Sequence, residues 1–263
     1  VKDGDRELLE SPLKEENGNF YMDYGDIEEK ARQGASYIIL CSPHNPIGRV
    51  WKREELEKLG EICIKYDLKV ISDEIHSDLV LWGNKHIPFS SLSEELRKRT
   101  ITCISASKTF NLAGLQSSIV VFPDIKTKSV FDRAWARLHI ECNNCFSLVA
   151  TQAAYEHGEE WLNQLIPYIE GNVNFVIEYM SKNIPLIRPI CPEGTYLIWL
   201  DCRKLGMTGS QLNDFMIHKA GLALSAGTYF GRNGEGFMRM NVACPRSTVE
   251  KALLKLKEAC DQL

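Results

Sequence analysis

Long hydrophobic runs are missing from this sequence of 263 residues. The longest apolar runs, such as Tyr37–Cys41, are far shorter than the roughly 20 residues that a membrane-spanning helix needs. Blocks of one charge are missing as well, because 31 Lys and Arg are interspersed with 35 Asp and Glu to give a net charge of −4. A protein that binds nucleic acid or an anionic membrane is expected to carry a basic patch. We therefore expect neither nucleic acid nor a membrane as a partner.

A disulfide framework and a metal-binding pattern are missing too. Nine cysteines are an odd number, and they are scattered over the whole chain, so reduced thiols are the expected state. Cys142 and Cys145 form a single CxxC without a second pair or nearby histidines, so we expect packing near a helix start rather than zinc or redox chemistry. No secretory signal is apparent, and we expect a cytoplasmic protein without a metal.

What the sequence does contain is an alternation of apolar strand-like runs with amphipathic helical patterns. Asp23 is predicted to cap a short helix that ends at Gly34. Strands are predicted over 36–41, 69–72, 101–105 and 117–122, with helices over 52–66 and 91–99. This order is typical of an α/β fold with a mostly parallel sheet that helices cover on both faces.

The second part of the chain is predicted to be richer in helices and to end in a smaller α+β domain. Helices are predicted over 126–140, 147–156, 160–183, 210–220 and 248–262, and strands over 195–201, 222–225 and 237–242. The long helix contains Pro167, where it is expected to bend. We place the domain boundary inside this helix, which predicts domains over 1–165 and 166–263.

Polar residues follow three of the predicted strands. Asn45 follows the first, Asp73 the second and Lys108 the third. Taken alone, Asn45 is more often a turn residue and Lys108 more often a solvated lysine, whereas a carboxylate such as Asp73 at the end of a buried strand needs a partner. Ligands of parallel sheets bind at the carboxyl ends of the strands, so we expect the three residues to share one site.

The stretches around these residues are similar to those of a known family. Residues 42–51, 72–79 and 105–115 read SPHNPIGRVW, SDEIHSDL and SASKTFNLAGL. In order, spacing and flanking residues they resemble the fold type I enzymes that depend on pyridoxal 5′-phosphate, in the class I/II aminotransferase family. The amino-acid sequences of the three stretches are most similar to those of the MalY/PatB branch of cystathionine β-lyases (C–S lyases). The resemblance implies a large α/β domain of the transferase type.

The resemblance also implies a role for each polar residue. Lys108 would hold the cofactor as an imine and then take the α-proton of an amino-acid substrate, and Asp73 would pair with the ring nitrogen. Asn45 would donate to the ring oxygen O3′ through a loop in which the Asn45–Pro46 bond is a candidate cis peptide. Ser105 would bind the phosphate, with Ser107 beside it in the cofactor site.

Arg239 is the candidate for binding the substrate carboxylate. A charged residue within the apolar strand 237–242 is costly unless it is paired, and a guanidinium group matches a carboxylate with two hydrogen bonds. The alternative is an exposed position on an edge strand. Tyr229 is expected near the substrate. Two positions differ from many aminotransferases of the fold, because His76 replaces a tyrosine that contacts O3′ and Gln116 replaces a phosphate-binding arginine; both fit the lyase branch better. His76 is expected to contact the cofactor or the substrate, and the alternative is a packed histidine at the end of the strand.

The implied function is β-elimination of a thiol from L-cystathionine or a related L-cysteine S-conjugate, which leaves pyruvate and ammonia. Transamination by a class I/II aminotransferase is the alternative, and a domain that senses an effector without catalysis is a less favoured one. Family members are homodimers of nearly four hundred residues, so the sequence is expected to be an N-terminally truncated piece. We expect such a piece to bind the cofactor poorly and to be hampered in activity and dimer assembly.

Overall fold

The computed structural model describes residues 4–16, 18–140 and 144–263. They form two structural units. The first holds the chain up to Pro43 with Trp51–Asp78 and Lys85–Glu160, and the second holds His44–Val50, Leu79–Asn84 and Trp161–Leu263. Whether 1–165 and 166–263 are separate domains stays a prediction.

The first unit alternates strands and helices, as the sequence predicts from residue 36 onwards. Its elements are β1 (Lys14–Glu16), β2 (Asn19–Tyr21), α1 (Tyr24–Arg32), β3 (Tyr37–Cys41), α2 (Arg53–Lys65), β4 (Lys69–Asp73), α3 (Glu94–Arg97), β5 (Thr100–Ile104), α4 (Ala106–Thr109), β6 (Ile119–Val121), α5 (Ile125–Arg137) and α6 (Ser147–His157). Asp23 caps α1 as expected, since its side chain accepts a hydrogen bond from the Asp26 amide at 3.1 Å.

The sheet that precedes the candidate site has the strand order β3-β4-β5-β6. The pairs β3/β4 and β4/β5 are parallel, and β6 runs antiparallel to β5. Cys41 lies opposite Asp73, which in turn lies opposite Cys103, so the first three strands end nearly level with one another. The predicted mostly parallel sheet is therefore confirmed, and it brings the segments after β4 and β5 to one edge.

The core of the first unit lies on one face of this sheet. Leu40 and Val70 of the strands pack with Leu56 and Leu59 of α2. Trp51 is 1% exposed, and its indole N–H donates to the Cys41 carbonyl at 2.9 Å. At this depth the indole needs such a partner for its polar atom.

The expectation that helices cover both faces of the sheet is not met at β3. Tyr37 and Ile39, which alternate with the packed residues of that strand, are each 60% exposed. Helix α5 buries none of its residues either, although Phe131 and Trp135 on it stack with ring centroids 5.1 Å apart. The first unit thus presents apolar side chains at β3 and along α5.

The second unit pairs helices with an antiparallel sheet. Its elements are α7 (Glu159–Asn183, which begins at the end of the first unit), β7 (Arg188–Ile190), β8 (Leu197–Asp201), α8 (Gly209–Asp214), β9 (Ser225–Ala226), β10 (Phe237–Asn241) and α9 (Arg246–Cys260). The strand order is β7-β8-β10-β9, and every pair is antiparallel. Val173, Val176 and Met180 of α7 pack in the same cluster as Ile198 and Leu253. The predicted α+β character is therefore present.

Several details differ from the sequence prediction. The short strands β1, β2 and β7 were not predicted, and β9 lies at the end of its predicted range. The helix predicted over 210–220 is α-helical only to Asp214 and continues as a π-helix over Phe215–Lys219. Helix α7 continues through Pro167. Cys142 lies outside the described residues, and Cys145 is exposed.

No helix within the described ranges is long and apolar enough to cross a bilayer.

Candidate active site

Asp73, the last residue of β4, carries a half-buried carboxylate in the first unit. Its Oδ1 accepts a hydrogen bond from the Ile75 amide at 3.2 Å, and no cationic side chain among the described residues pairs with it. Burial raises the pKa of Asp73, and the adjacent Glu74 carboxylate adds to the rise, while the charge of Lys108 opposes it. A cation placed beside this carboxylate would therefore stabilise its charged form.

The neighbouring carboxylate of Glu74 has a different environment, which the sequence analysis did not anticipate. Glu74 is 2% exposed, and its Oε1 accepts hydrogen bonds from the Ser72 hydroxyl at 2.7 Å and the Phe89 amide at 3.1 Å. Its Oε2 lies 2.8 Å from His86 Nε2. Glu74 thus has three partners inside the fold and serves to hold the segment after β4. Only its place after an apolar strand hints at this in the sequence.

Lys108 lies on the one-turn helix α4, which follows β5 directly. Its side chain is half-buried, and its Nζ makes no hydrogen bond or ion pair with any described residue. The ammonium charge is nevertheless close enough to Asp73 to oppose the rise in that pKa. The structure therefore brings Lys108 and Asp73 together and leaves the amine available.

Ser105 and Ser107 both turn their hydroxyl groups towards the carbonyl of Ser117. The Ser105 hydroxyl donates to this oxygen at 2.6 Å, and the Ser107 hydroxyl donates to it at 3.2 Å. Ser105 also accepts a hydrogen bond from the Ser107 amide at 3.1 Å, which caps α4. Gln116 has a left-handed backbone with φ of 53°. The two serines thus lie together next to Lys108.

His76 lies in the turn that follows β4. The turn is closed by a hydrogen bond from the Ser77 amide to the Glu74 carbonyl at 2.9 Å, and His76 is 2% exposed. The histidine is therefore packed into the first unit. Its predicted contact with the cofactor stays a prediction.

Asn45 and Arg239 meet in the second unit. An Nη1 hydrogen of Arg239 is donated to Asn45 Oδ1 at 2.8 Å, and Nη2 donates to the Ser225 hydroxyl at 3.1 Å. The Asn45–Pro46 bond is cis, as predicted, and the Ser42–Pro43 bond is cis as well. The pairing of two predicted residues that are far apart in the sequence places Asn45 and Arg239 in one polar group.

The guanidinium group of Arg239 has no carboxylate partner among the described residues. It lies 4.7 Å from the centroid of the Phe230 ring, and β10 pairs with strands on both sides, so Arg239 is not on an edge strand. Burial lowers the pKa of Arg239, and Tyr196 opposes that change. A partly buried guanidinium group held by neutral partners alone is suited to receive an anion.

Tyr229 and Phe230 are adjacent in the sequence but differ in their packing. Tyr229 is 83% exposed, whereas Phe230 stacks on Arg239 and packs edge-on against Trp199. From the sequence, Tyr229 is expected near the substrate, and no role is expected for Phe230. The role of Tyr229 in binding substrate stays a prediction.

The loop that carries Asn45 is held by an ion pair. Glu193 Oε2 accepts hydrogen bonds from Arg49 Nε at 2.8 Å and from the Val50 amide at 2.9 Å. The amides of Glu193 and Gly194 donate to the Gly48 carbonyl at 2.8 and 2.9 Å. Arg49 is 9% exposed. These bonds fix the loop beside the Pro192–Gly194 turn.

Comparison with known proteins defines the class to which this arrangement belongs. The model of the family "Aminotransferase class I and II" matches residues 2–256. The chain belongs to this enzyme family.

Two relatives illustrate the similarity, one named as a lyase and one known from a crystal structure with its cofactor. Cystathionine beta-lyase PatB of Bacillus subtilis (strain 168) is 42% identical over 260 residues, which cover 98% of this chain and 67% of that protein. Cystalysin from Treponema denticola, whose crystal structure contains pyridoxal 5′-phosphate, has a TM-score of 0.97 at 35% identity and covers 100% of this chain and 67% of its own.

A third relative keeps the aminotransferase alternative in view. A pyridoxal-phosphate-bound protein from Clostridium difficile 630, described as a candidate aminotransferase, has a TM-score of 0.96 at 51% identity and covers 99% of this chain and 67% of its own. The matches confirm the family resemblance and the fold class. The chain spans about two thirds of the length of these relatives.

The described residues fit the cofactor that two of these relatives contain. Lys108 offers an amine that pairs with no other described residue, and the nearby Asp73 offers a carboxylate whose pKa is raised by burial. A protonated ring nitrogen is a cation of the kind that Asp73 lacks. The donor set of the first unit thus suits pyridoxal 5′-phosphate.

Proposed function

We propose that this protein is a pyridoxal 5′-phosphate-dependent lyase that eliminates a thiol from L-cystathionine or a related L-cysteine S-conjugate. The products are pyruvate, ammonia and the thiol. The observation that carries the proposal is the unpaired Lys108 amine beside the Asp73 carboxylate, in a chain 42% identical to a cystathionine beta-lyase.

The chemistry of the first unit follows from these two groups. When bound, pyridoxal 5′-phosphate supplies an electron sink for the charge that develops at the substrate Cα. Lys108 holds the cofactor through Nζ and, once released, takes the proton from Cα. Asp73 keeps the ring nitrogen protonated, and pairing with that nitrogen would lower the raised pKa of Asp73 again.

The other cofactor contacts are proposed from the positions of the remaining polar residues. Ser105 and Ser107 lie one turn or less from Lys108, where their hydroxyl groups can serve the phosphate if they leave the Ser117 carbonyl. His76 is packed in the turn after Asp73, next to the groups that would face the ring. Asn45 carries an amide that donates to the ring oxygen O3′.

The substrate is held through its carboxylate by Arg239. Its planar guanidinium group is aligned by Asn45 and by the face of Phe230, and neither partner neutralises its charge. Tyr229 is proposed to contact the part of the substrate beyond Cβ. Because Arg239 binds only the carboxylate attached to Cα, the sulfur substituent on Cβ is free to leave.

We also propose that the protein is a cytoplasmic homodimer whose large and small domains divide near residue 165. The apolar side chains left exposed at β3 and α5 support an association surface. The cysteines of the described part of the chain are all free, in keeping with a reducing compartment.

Pyruvate release from L-cystathionine in the presence of pyridoxal 5′-phosphate tests the proposal. We expect turnover without any added 2-oxo acid, and a fall of roughly 100- to 10,000-fold in Lys108→Ala because the general base is lost. Lys126→Ala, which removes an exposed lysine of α5, is the matched control and should keep full activity. A requirement for a 2-oxo acid would contradict the lyase and favour an aminotransferase.

A further inference from the structure

The one-turn helix α4, which carries Lys108, is anchored at both ends. At its start, the serine hydroxyls described above donate to the carbonyl of Ser117. At its end, the Thr109 hydroxyl donates to Asp78 Oδ2 at 2.8 Å. Thr109 is 1% exposed. Four residues are too few to form a stable helix alone, so α4 depends on such contacts, and the Thr109 anchor is the one that the proposed phosphate contacts of Ser105 and Ser107 leave in place.

The anchor at Thr109 determines where Lys108 points. Neighbouring residues of an α-helix are separated by roughly 100° around the axis. Once the Thr109 hydroxyl is fixed, rotation of this single turn about its axis is prevented, and the direction of the Lys108 side chain is set. Asn111, with a left-handed φ of 56°, ends the helical path two residues later, so no further turn supplies this restraint.

Asp78 connects Thr109 to the segment that carries Asp73. Asp78 lies in the segment that follows Asp73 at the carboxyl end of β4, and β4 is the parallel neighbour of β5. Asp78 accepts no other hydrogen bond from a described side chain. The bond therefore ties together the two segments that follow adjacent strands, one with Asp73 and the other with Lys108.

We propose that Asp78 and Thr109 are positioning residues that form a latch, the hydrogen bond between their side chains, which holds Lys108 in the orientation that captures the cofactor. The inference rests on the proposed function of Lys108. The latch contacts neither substrate nor cofactor in this scheme and acts only through α4.

The latch is tested by substitutions at Thr109 that change either the hydroxyl donor or the shape of the side chain, but not both. Thr109→Val keeps the branched shape and removes the donor, whereas Thr109→Ser keeps the donor. The matched control is Thr127→Val, because the Thr127 hydroxyl donates to Asp124 Oδ2 at 2.9 Å at the start of α5, in a pair of the same chemistry. Two readouts are measured on the full chain: amide hydrogen exchange over 105–111, and the rate at which borohydride traps pyridoxal 5′-phosphate on Lys108, mapped by mass spectrometry.

Thr109→Val is expected to exchange about tenfold faster over 105–111 but normally over Ile125–Arg137, and to be trapped at Lys108 about tenfold more slowly. A hydrogen bond to a charged acceptor changes an equilibrium constant by roughly ten- to a hundredfold. The expected tenfold effects correspond to the lower end of that range. Thr109→Ser and Thr127→Val should both match the wild type in the rate of hydrogen exchange over 105–111 and in the rate of trapping on Lys108. Combining Thr109→Val with Asp78→Ala should add nothing to either change alone.

Two results overturn the latch: Thr109→Val behaving as Thr127→Val does in both readouts, or effects of Thr109→Val and Asp78→Ala that add in the double variant. The proposed function fails separately, if wild type traps the cofactor nowhere or on surface lysines in place of Lys108. Hydrogen exchange over 105–111 then still decides whether the bond holds α4.

Discussion

At the scale of single residues, two adjacent acids show how the fold assigns different roles to similar side chains. The Glu74 carboxylate has three hydrogen-bond partners within the protein: Ser72, His86 and the Phe89 amide. Asp73 has one backbone donor and a raised pKa. A carboxylate that remains short of partners is the one that can respond to a bound cation, and this difference supports the proposal that Asp73 is the functional acid.

Arg239→Gln should raise KM for the amino-acid substrate by roughly 10- to 100-fold, with a smaller effect on kcat. The lost hydrogen bonds to a charged carboxylate correspond to about 1.5–3 kcal/mol, and Lys108 and Asp73 are untouched. Steady-state kinetics of pyruvate release measure both constants. Arg203→Gln is the control, since Arg203 lies 4.7 Å over the ring of Phe237 in similar geometry but pairs with Asp201. Equal effects of the two substitutions would remove Arg239 from substrate binding.

The sequence identifies residues of the site better than their partners. Lys108, Asp73 and Arg239 stand out because a charged group beside an apolar strand is costly, and none of the three forms an ion pair with another described residue. The stack of Phe230 on Arg239, and the exposure of Tyr229, depend on which way one short turn faces. The sequence has no periodicity that predicts this orientation, so it does not show which of the two adjacent aromatic residues packs and which is exposed.

At the scale of elements, the loop that carries Asn45 depends on a close approach of two backbones. Gly48 has φ of +80°, and a Cβ atom there would lie 2.4 Å from Pro192 Cβ. Its carbonyl accepts the Glu193 and Gly194 amides, so the loop cannot move away without losing these bonds. A side chain at Gly48 would therefore strain the backbone and collide with Pro192 at the same time.

Gly48→Ala is expected to lower the free energy of unfolding by about 2–5 kcal/mol, as the sum of left-handed backbone strain and overpacking. Gly83→Ala is the matched control, because Gly83 has φ of +71° with open space around it, and it should cost only the backbone part, about 1–2 kcal/mol. Urea unfolding at equilibrium measures both. The same loss in the two variants would mean that contact with Pro192 contributes nothing.

Elements with strong patterns are predicted well, and short ones are not. The strands β3, β4 and β5 are five-residue segments that contain adjacent apolar or β-branched residues, and their predicted places are confirmed. The strand β7 contains Pro189 and has an exposed and two half-buried residues, so nothing in its sequence distinguishes it from a loop. Its pairing with β8 is a tertiary contact, which a local pattern does not contain.

At the scale of the whole molecule, the pH dependence of stability should carry the signature of His44. Burial, with the charge of Arg49, lowers the pKa of His44 from 6.5 to about 4. The unfolded chain therefore binds a proton below pH 6.5 that the folded chain refuses, and stability falls as the pH decreases from 6.5 towards 4. Between pH 7 and pH 5 we expect a loss of about 2 kcal/mol.

Urea unfolding at pH 7, 6 and 5 measures this loss, and His44→Gln should remove most of it. Asp201 does not interfere in this range. Although burial opposes the change, hydrogen bonds from Arg203 and Arg188 lower the pKa of Asp201 to about 2, so its contribution is lost only when the pH falls from about 4 towards 2. A stability that stays flat from pH 7 to pH 5 would show that His44 titrates normally in the folded state.

The division of the chain into two units also gives each unit its own optical reporter. Trp51 is 1% exposed in the first unit and Trp199 is 3% exposed in the second, whereas Trp82, Trp135 and Trp161 are 38 to 46% exposed. Indole emission shifts to longer wavelengths when the ring meets water, so the two buried tryptophans would emit at the blue end of a mixed spectrum. A version of the protein that keeps Trp51 alone, and another that keeps Trp199 alone, would each report by colour whether its own half of the molecule is folded.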